Sequence, residues 1–383
     1  MKSPRVKVLQ LLPECHDRSH DPEELSEQIV AAFPREEFEV TSAYLQGSPV
    51  ASQPTSRSEH VCYFGFPDFE LKGLRLGVKR LLFEYCKNEH FDVVICHRYK
   101  PVSLMLSLSK RLPIPVCIGI SHGFGEYKTL WRKLFARLSI DRRWHFVGVS
   151  DAVRNHLVEQ SCGFSLQNTS AIPNAFDIDD LEQHLLGRTE AREQLGLPRD
   201  VRIVGAIGRL VRVKGHVHLI RAFGSVAARF PDDHLAVIGS GKEEGVLRAE
   251  IERLGLTNRV HLLGWRSRAK QFVRAFDIWT MPSLSEGFGL ALLEGMCGRL
   301  PVIGSDIPAM APMVRRAGGL CVPPADENLL ASAISTYLEK DSATLRMLGE
   351  QAYSYARQNH NISAYREAYL NLVKARLVRY REG

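Results

Sequence analysis

Short apolar, β-branched runs alternate with helix-length stretches along this chain, and the alternation breaks off once and restarts. The first series places strands at about 5–12, 38–44, 61–64, 91–96, 115–120 and 145–149. Between them lie an acidic helical stretch at about 22–33 and a basic one at 73–88, with a third at 101–112. The second series places strands at 201–207, 235–238, 260–263, 276–281, 301–304 and 320–322, with helices between and beyond. Strands spaced by helices need crossover connections, so each series specifies a parallel sheet covered on both faces. The chain is thus expected to be α/β, with two Rossmann-like domains at 1–175 and 176–362. Ligands of such sheets bind outside the carboxyl ends of the strands, and two sheets so arranged would face a central cleft. Residues 363–383 carry apolar side chains at 365, 369, 372, 373 and 377. That spacing marks one helical face packed on a domain surface.

The stretch Pro282–Gly298 (P-S-L-S-E-G-F-G-L-A-L-L-E-G-M-C-G) runs from a strand through a small-residue loop into a helix. This order aims free amides and the positive end of a helix dipole at an anion. Glu286 sits on the loop and Glu294 about a turn inside the helix. Carboxylates there repel phosphate and suit sugar hydroxyls, so the stretch reads as one side of a sugar-nucleotide pocket. After the strand ending at Ile207 come Gly208, Arg209 and Lys214, two permanent cations placed to hold a diphosphate. Gly239-Ser240-Gly241 closes another strand. The next glycine of a dinucleotide fingerprint comes at Gly245, one place late, which argues against a nicotinamide cofactor. Backbone groups of Leu263–Arg266 are placed to meet a nucleobase.

The ordered set G-R-L-x-x-x-K-G, G-S-G, N-R-V-x-L-L-G, P-S-x-x-E-G-F-G-L-x-x-L-E-G-M and P-V-I resembles the retaining glycosyltransferases of family 4, with the GT-B architecture. Ser121-His122-Gly123, V-G-V-S-D-A-V-R (147–154) and I-P-N (172–174) carry it more faintly into the first half. The resemblance implies that Arg209 and Lys214 grip the donor diphosphate and that Glu294 accepts from ribose hydroxyls. It implies that Glu286 touches the transferred sugar, with the amides of Phe288, Gly289 and Leu290 holding sugar and phosphate. His122 matches a histidine close to the reacting carbon. The catalytic set is therefore His122, Arg209, Lys214 and Glu286. The donor set comprises Gly208, Arg209, Lys214, Gly239, Arg266, Glu286, Gly287, Phe288, Gly289, Leu290 and Glu294. Three departures stand out. Leu12-Pro13-Glu14-Cys15-His16-Asp17 replaces a glycine-rich loop, Arg299 takes a position that is usually glycine, and Pro308–Pro312 replaces a glycine-pair stretch.

Asp177-Ile178-Asp179 has the letters of a metal-binding Asp-x-Asp. It lies in the linker without a preceding strand and reads instead as a helix start. With Arg209, Lys214 and a helix N-terminus supplying positive field, no metal or other cofactor is expected.

Charge is unevenly spread. Residues 1–71 hold 6 Lys/Arg against 12 Asp/Glu, whereas 72–145 hold 15 against 5. The segment 127–146 sets Leu130, Trp131, Leu134, Phe135, Leu138 and Ile140 among basic residues, as an interfacial amphipathic helix does. An anionic, lipid-linked glycan is therefore the expected acceptor, with 72–145 touching an anionic membrane. Among family relatives, lipopolysaccharide core transferases fit this pattern, and UDP is the nucleotide the family uses most. No nucleic-acid motif accompanies the charge. No run reaches the length of a spanning helix, and Met1-Lys-Ser-Pro-Arg leads straight into a strand rather than a signal sequence. Eight scattered cysteines without a C-x-x-C pair suit reduced core residues. The expected location is cytoplasmic, peripheral to the inner face of the membrane. Rival readings are a transferase with a soluble acceptor and a non-catalytic nucleotide-sugar-binding protein.

Overall fold

The computed structural model describes residues 4–15, 24–49 and 56–382. Its apolar runs become two all-parallel sheets. The first contains β1 (Val6–Glu14), β2 (Phe38–Gln46), β3 (His60–Tyr63), β4 (Val93–His97), β5 (Val116–Ser121), β6 (Trp144–Gly148) and β7 (Thr169–Ala171). Their order is β3-β2-β1-β4-β5-β6-β7. β4, β5 and β6 are buried at every position, as a parallel sheet covered on both faces requires. β7 was not anticipated: Thr169-Ser170-Ala171 has no apolar run, and it is strand only because Phe146–Gly148 of β6 offers it a parallel ladder.

The second sheet contains β8 (Ile203–Ile207), β9 (His234–Ile238), β10 (Val260–Leu262), β11 (Ile278–Met281), β12 (Val302–Ser305) and β13 (Leu320–Val322). Their order is β10-β9-β8-β11-β12-β13. The chain steps outward from β8 to β10, then crosses back to place β11 on the other side of β8. The loops leaving β8 and β11 consequently lie side by side, at the switch point where open α/β sheets bind ligands. The first sheet reverses in the same way between β1 and β4.

Two compact units result, Met1–Ala175 with Ile362–Gly383, and Phe176–Asn361. The closing helix Ile362–Glu382 belongs to the first unit, where Tyr365, Tyr369, Val373 and Leu377 of its apolar face are buried. Arg366 there donates to Gln28 Oε1 at 2.8 Å. Asp177 acts as the helix start read from the sequence, accepting from the Asp180 amide at 3.2 Å ahead of Ile178–His184. Asp179 pairs with Arg357 at 2.9 Å.

Arg299 explains its own departure from glycine. Its φ of 61° is a left-handed conformation that favours glycine. The side chain compensates by binding both Glu350 oxygens (2.9 and 2.7 Å) and Glu182 (3.1 Å), stacked on Tyr353. Ala311–Arg316 is a short helix with Pro312 in its first turn, where the missing N–H costs nothing. Leu12–Glu14 simply continue β1; His16 and Asp17 lie outside the described residues, as does much of the 46–58 loop. None of the eight cysteines is disulfide-bonded.

Candidate active site residues

In the second unit the loops after β8 and β11 are laced together. The amide of Leu284 donates to Val213 O at 2.8 Å, and Lys214 Nζ lies 2.6 Å from Glu286 Oε1. Both side chains are mostly enclosed, 19 % and 14 % exposed. The approach depends on Gly215, whose φ is +70°, and a Cβ there would stand 2.0 Å from Pro282 O. Arg209, by contrast, is exposed, and its guanidinium makes no ion pair or hydrogen bond among the described residues.

The remaining donor-side candidates collect on the same sheet edge. Gly208 donates its amide to Ile238 O at 3.0 Å, and Gly239 donates to Gly264 O at 2.9 Å. These bonds draw together the ends of β8, β9 and β10. Arg266 follows β10, its Nη1 donating to Trp265 O at 3.2 Å. The loop through Glu286 and Gly287 ends at Gly289, whose φ of +102° starts the helix Leu290–Cys297. The first amides of that helix, from Leu290 onward, have no intrahelical acceptor. Phe288 is buried against His360, ring centroids 5.4 Å apart. Its side chain therefore anchors the loop, leaving only its backbone for a ligand. Glu294 is half-buried on the helix behind.

Two further residues at this junction escaped the sequence reading. His216 is buried beneath Gly208, its Nε2 3.4 Å from where a Gly208 Cβ would stand. Burial, then the neighbouring Lys214 cation, push it down to about 4. Among the described residues neither ring nitrogen has a well-formed hydrogen bond, though the Arg209 backbone is near enough to offset part of that push. Ser283, 1 % exposed, has an Oγ equally without a partner among the described residues. Buried polar atoms normally find partners, so both are candidates to meet a polar group of a ligand at this junction. The only hint in the sequence was position, one residue after Gly215 and one after Pro282.

In the first unit His122 follows β5. Its amide and the Ser121 hydroxyl both donate to the Glu126 carboxylate, at 3.1 and 2.7 Å. Burial raises Glu126 above the usual carboxylate value, and these two hydrogen bonds oppose it. The His122 ring lies 5.7 Å from that of His97, whose Nε2 is 3.3 Å from Gln10 Oε1. His122 Nε2 is buried without a partner among the described residues. Burial, then His97 and Arg98, hold His122 well below the ordinary histidine value. Burial and Arg98 take His97 down to about 3. Both imidazoles are neutral at pH 7. Glu126 and His97 were not among the sequence candidates, because their roles arise from β4 and β5 lying side by side.

Two parallel sheets, with polar and charged loops gathered at the carboxyl edge of each, define the GT-B architecture. The chain belongs to the glycosyltransferases: residues 23–180 match Glycosyltransferase Family 4, and 187–355 match Glycosyl transferases group 1. It is 33 % identical over 191 residues to a D-inositol 3-phosphate glycosyltransferase of Corynebacterium glutamicum, 46 % of each chain. It is 30 % identical over 186 residues to the lipopolysaccharide core biosynthesis glycosyltransferase LpsE of Rhizobium meliloti, 48 % of this chain and 53 % of that one. The matches span about half the length of these relatives. Across 97 % of this chain and 100 % of the other, the fold matches Anabaena Alr3699/HepE in complex with UDP, with a TM-score of 0.77 and 20 % identity.

Proposed function

We propose that this protein is a retaining, metal-independent glycosyltransferase that moves a hexose from a UDP-linked donor to a hydroxyl of an anionic, lipid-linked glycan, of the lipopolysaccharide core kind. One observation carries the reading: Lys214 and Glu286 meet at the sheet's switch point at 2.6 Å, and the exposed Arg209, on the same loop as Lys214, has no side-chain partner among the described residues. A diphosphate seated there takes charge-assisted hydrogen bonds from Arg209 and Lys214. Glu286, opposite, accepts from a sugar hydroxyl. As the bond between the anomeric carbon and the β-phosphate oxygen breaks, its electron pair goes to that oxygen, where the fixed cations stabilise it. The acceptor oxygen bonds to the carbon from the same face and gives its proton to the departing phosphate. Arg209 and Lys214 supply the field that a metal provides elsewhere. Asp177 and Asp179 are spent on a helix cap and on Arg357.

UDP is favoured by the HepE complex, and a lipopolysaccharide-type acceptor by the likeness to LpsE. Membrane contact is supported by the helix Leu130–Ser139, where Leu130 and Trp131 are 84 % and 80 % exposed beside Lys133 and Arg137. No helix among the described residues is long and apolar enough to cross a membrane. The test is a thermal-shift panel of UDP, GDP and ADP sugars, followed by transfer assays on lipopolysaccharide core with and without EDTA. Stabilisation by UDP-sugar that disappears in Arg209→Ala is expected, together with an α-linked product from an α-linked donor. Absence of any nucleotide effect would end the proposal; inverted product would remove the retaining assignment, and EDTA-abolished transfer restored by Mg²⁺ the metal independence.

A further inference from the structure

In the first unit Arg75 and Arg132 lie about Tyr99 and Lys79 lies beside Arg75, and among the described residues no carboxylate pairs with them. Arg75 opens the helix Leu76–Glu89 in a left-handed conformation, φ 55°, and donates to Ser103 Oγ at 2.9 Å. Arg132 stacks its guanidinium over the Tyr99 ring at 4.1 Å and donates to Glu126 O at 3.0 Å. Lys79 lies one helical turn beyond Arg75. Burial, with Arg132 adding to it, lowers Arg75 below its ordinary value; burial and Arg75 do the same to Lys79. Among the described residues, no carboxylate pairs with any of the three.

The nearby acids are already engaged. Glu126 turns its carboxylate to Ser121 and the His122 amide; Arg132 bonds its main-chain oxygen and feels the carboxylate charge only without direct contact. Asp68 is taken by Lys72 and Lys100. A fourth cation, Arg98, stands exposed at the end of β4, its φ of 64° a strained backbone for a non-glycine residue. Half-buried cations that repel one another without a counter-charge are costly, and the arrangement is relieved when an anion enters. Through Glu126, the cluster is bonded directly to the loop that carries His122.

We propose that Arg75, Lys79 and Arg132 form an anion subsite beside His122, which seats a phosphate or carboxylate group of the acceptor. The inference rests on the transferase reading above and assigns the acceptor's charged group to named residues. Arg132 faces inward over Tyr99, whereas Leu130 and Trp131 on the same helix face solvent. The subsite is therefore separate from the surface offered to lipid.

The probe is D-glucose 6-phosphate, with D-glucose as control, titrated calorimetrically into the full chain saturated with UDP. The phosphorylated sugar is expected to bind at least tenfold more tightly. Arg75→Gln and Arg132→Gln should each weaken it at least fivefold, with UDP affinity unchanged and Arg132→Lys retaining most of it. Equal affinity for the two sugars, or phosphate binding indifferent to both Gln variants, overturns the subsite. So does a loss of phosphatidylglycerol-vesicle binding in those variants without any effect on glucose 6-phosphate, since the anion would then be a lipid headgroup. Failure to bind UDP in the unsubstituted protein counts against the transferase reading instead, and is scored separately.

Discussion

Lys214 and Glu286 come from loops 72 residues apart and meet at 2.6 Å in a mostly enclosed setting. The pair holds the ammonium in place before a donor arrives, and it also gives that ammonium a competitor for the diphosphate. The two substitutions should therefore behave differently. Lys214→Ala should lower kcat by about 10²–10³, the scale for removing one preorganised charge stabiliser, and should weaken UDP. Glu286→Gln should also lower transfer, yet leave UDP binding intact or tighter, because Lys214 is released to the phosphates. Equal UDP affinities in both variants, measured by calorimetry, would dissolve this division of labour.

Gly215 lets the β8 loop touch the β11 loop. Gly215→Ala puts a methyl 2.0 Å from Pro282 O at a φ of +70°. A drop of about 1–3 kcal/mol in stability is expected, with a larger loss in UDP affinity than at a remote glycine such as Gly245, which has open space around it. Thermal denaturation and UDP titration check both parts.

Acid should loosen the protein below pH 6.5. Burial depresses His97 to about 3, and His145 and His216 to about 4. Above 6.5 these groups are neutral whether folded or unfolded and contribute no pH dependence. Below it the unfolded chain takes protons that the folded chain refuses, so stability falls as pH drops toward 4 and 3. Each histidine contributes up to about 1.4 kcal/mol per pH unit. Glu126, raised by burial, acts in the opposite direction over its own range above 4.5. Melting temperatures from pH 7 to 5 should fall less steeply in His97→Gln; an unchanged slope would refute the assignment.

The exposed helix Leu130–Ser139 should behave as a docking element for anionic lipid. Trp131→Glu with Leu130→Glu should abolish flotation on phosphatidylglycerol vesicles at low salt while leaving UDP binding untouched. Flotation equal to that of the unsubstituted protein would retire the membrane contact.

His122 should matter for turnover rather than for donor binding. Its Nε2 is buried with no partner among the described residues, so His122→Ala removes a polar group without breaking a bond seen there. A loss of about 10² in kcat, with UDP affinity within twofold, is expected; a fully active variant would remove the residue from the catalytic set.

Local pattern made most of this chain legible. Strand positions followed from β-branched runs, the parallel sheets from the helices between them, and the closing helix from 3.6-residue spacing. Arg209, Lys214, Glu286, Gly289 and Glu294 could be picked out because strand, loop and helix follow one another within a few residues. These features depend on neighbours along the chain, and such neighbours are visible in a string of letters. Tertiary packing decided what depends on contact between distant segments. Thr169–Ala171 became a strand only beside β6, and Arg299 could occupy a glycine conformation only with Glu182, Glu350 and Tyr353 around it. His97, Glu126, His216 and Ser283 gained meaning only once neighbouring strands brought their loops together. A polar atom's want of a partner is set by the burial around it, and burial is a property of the folded chain.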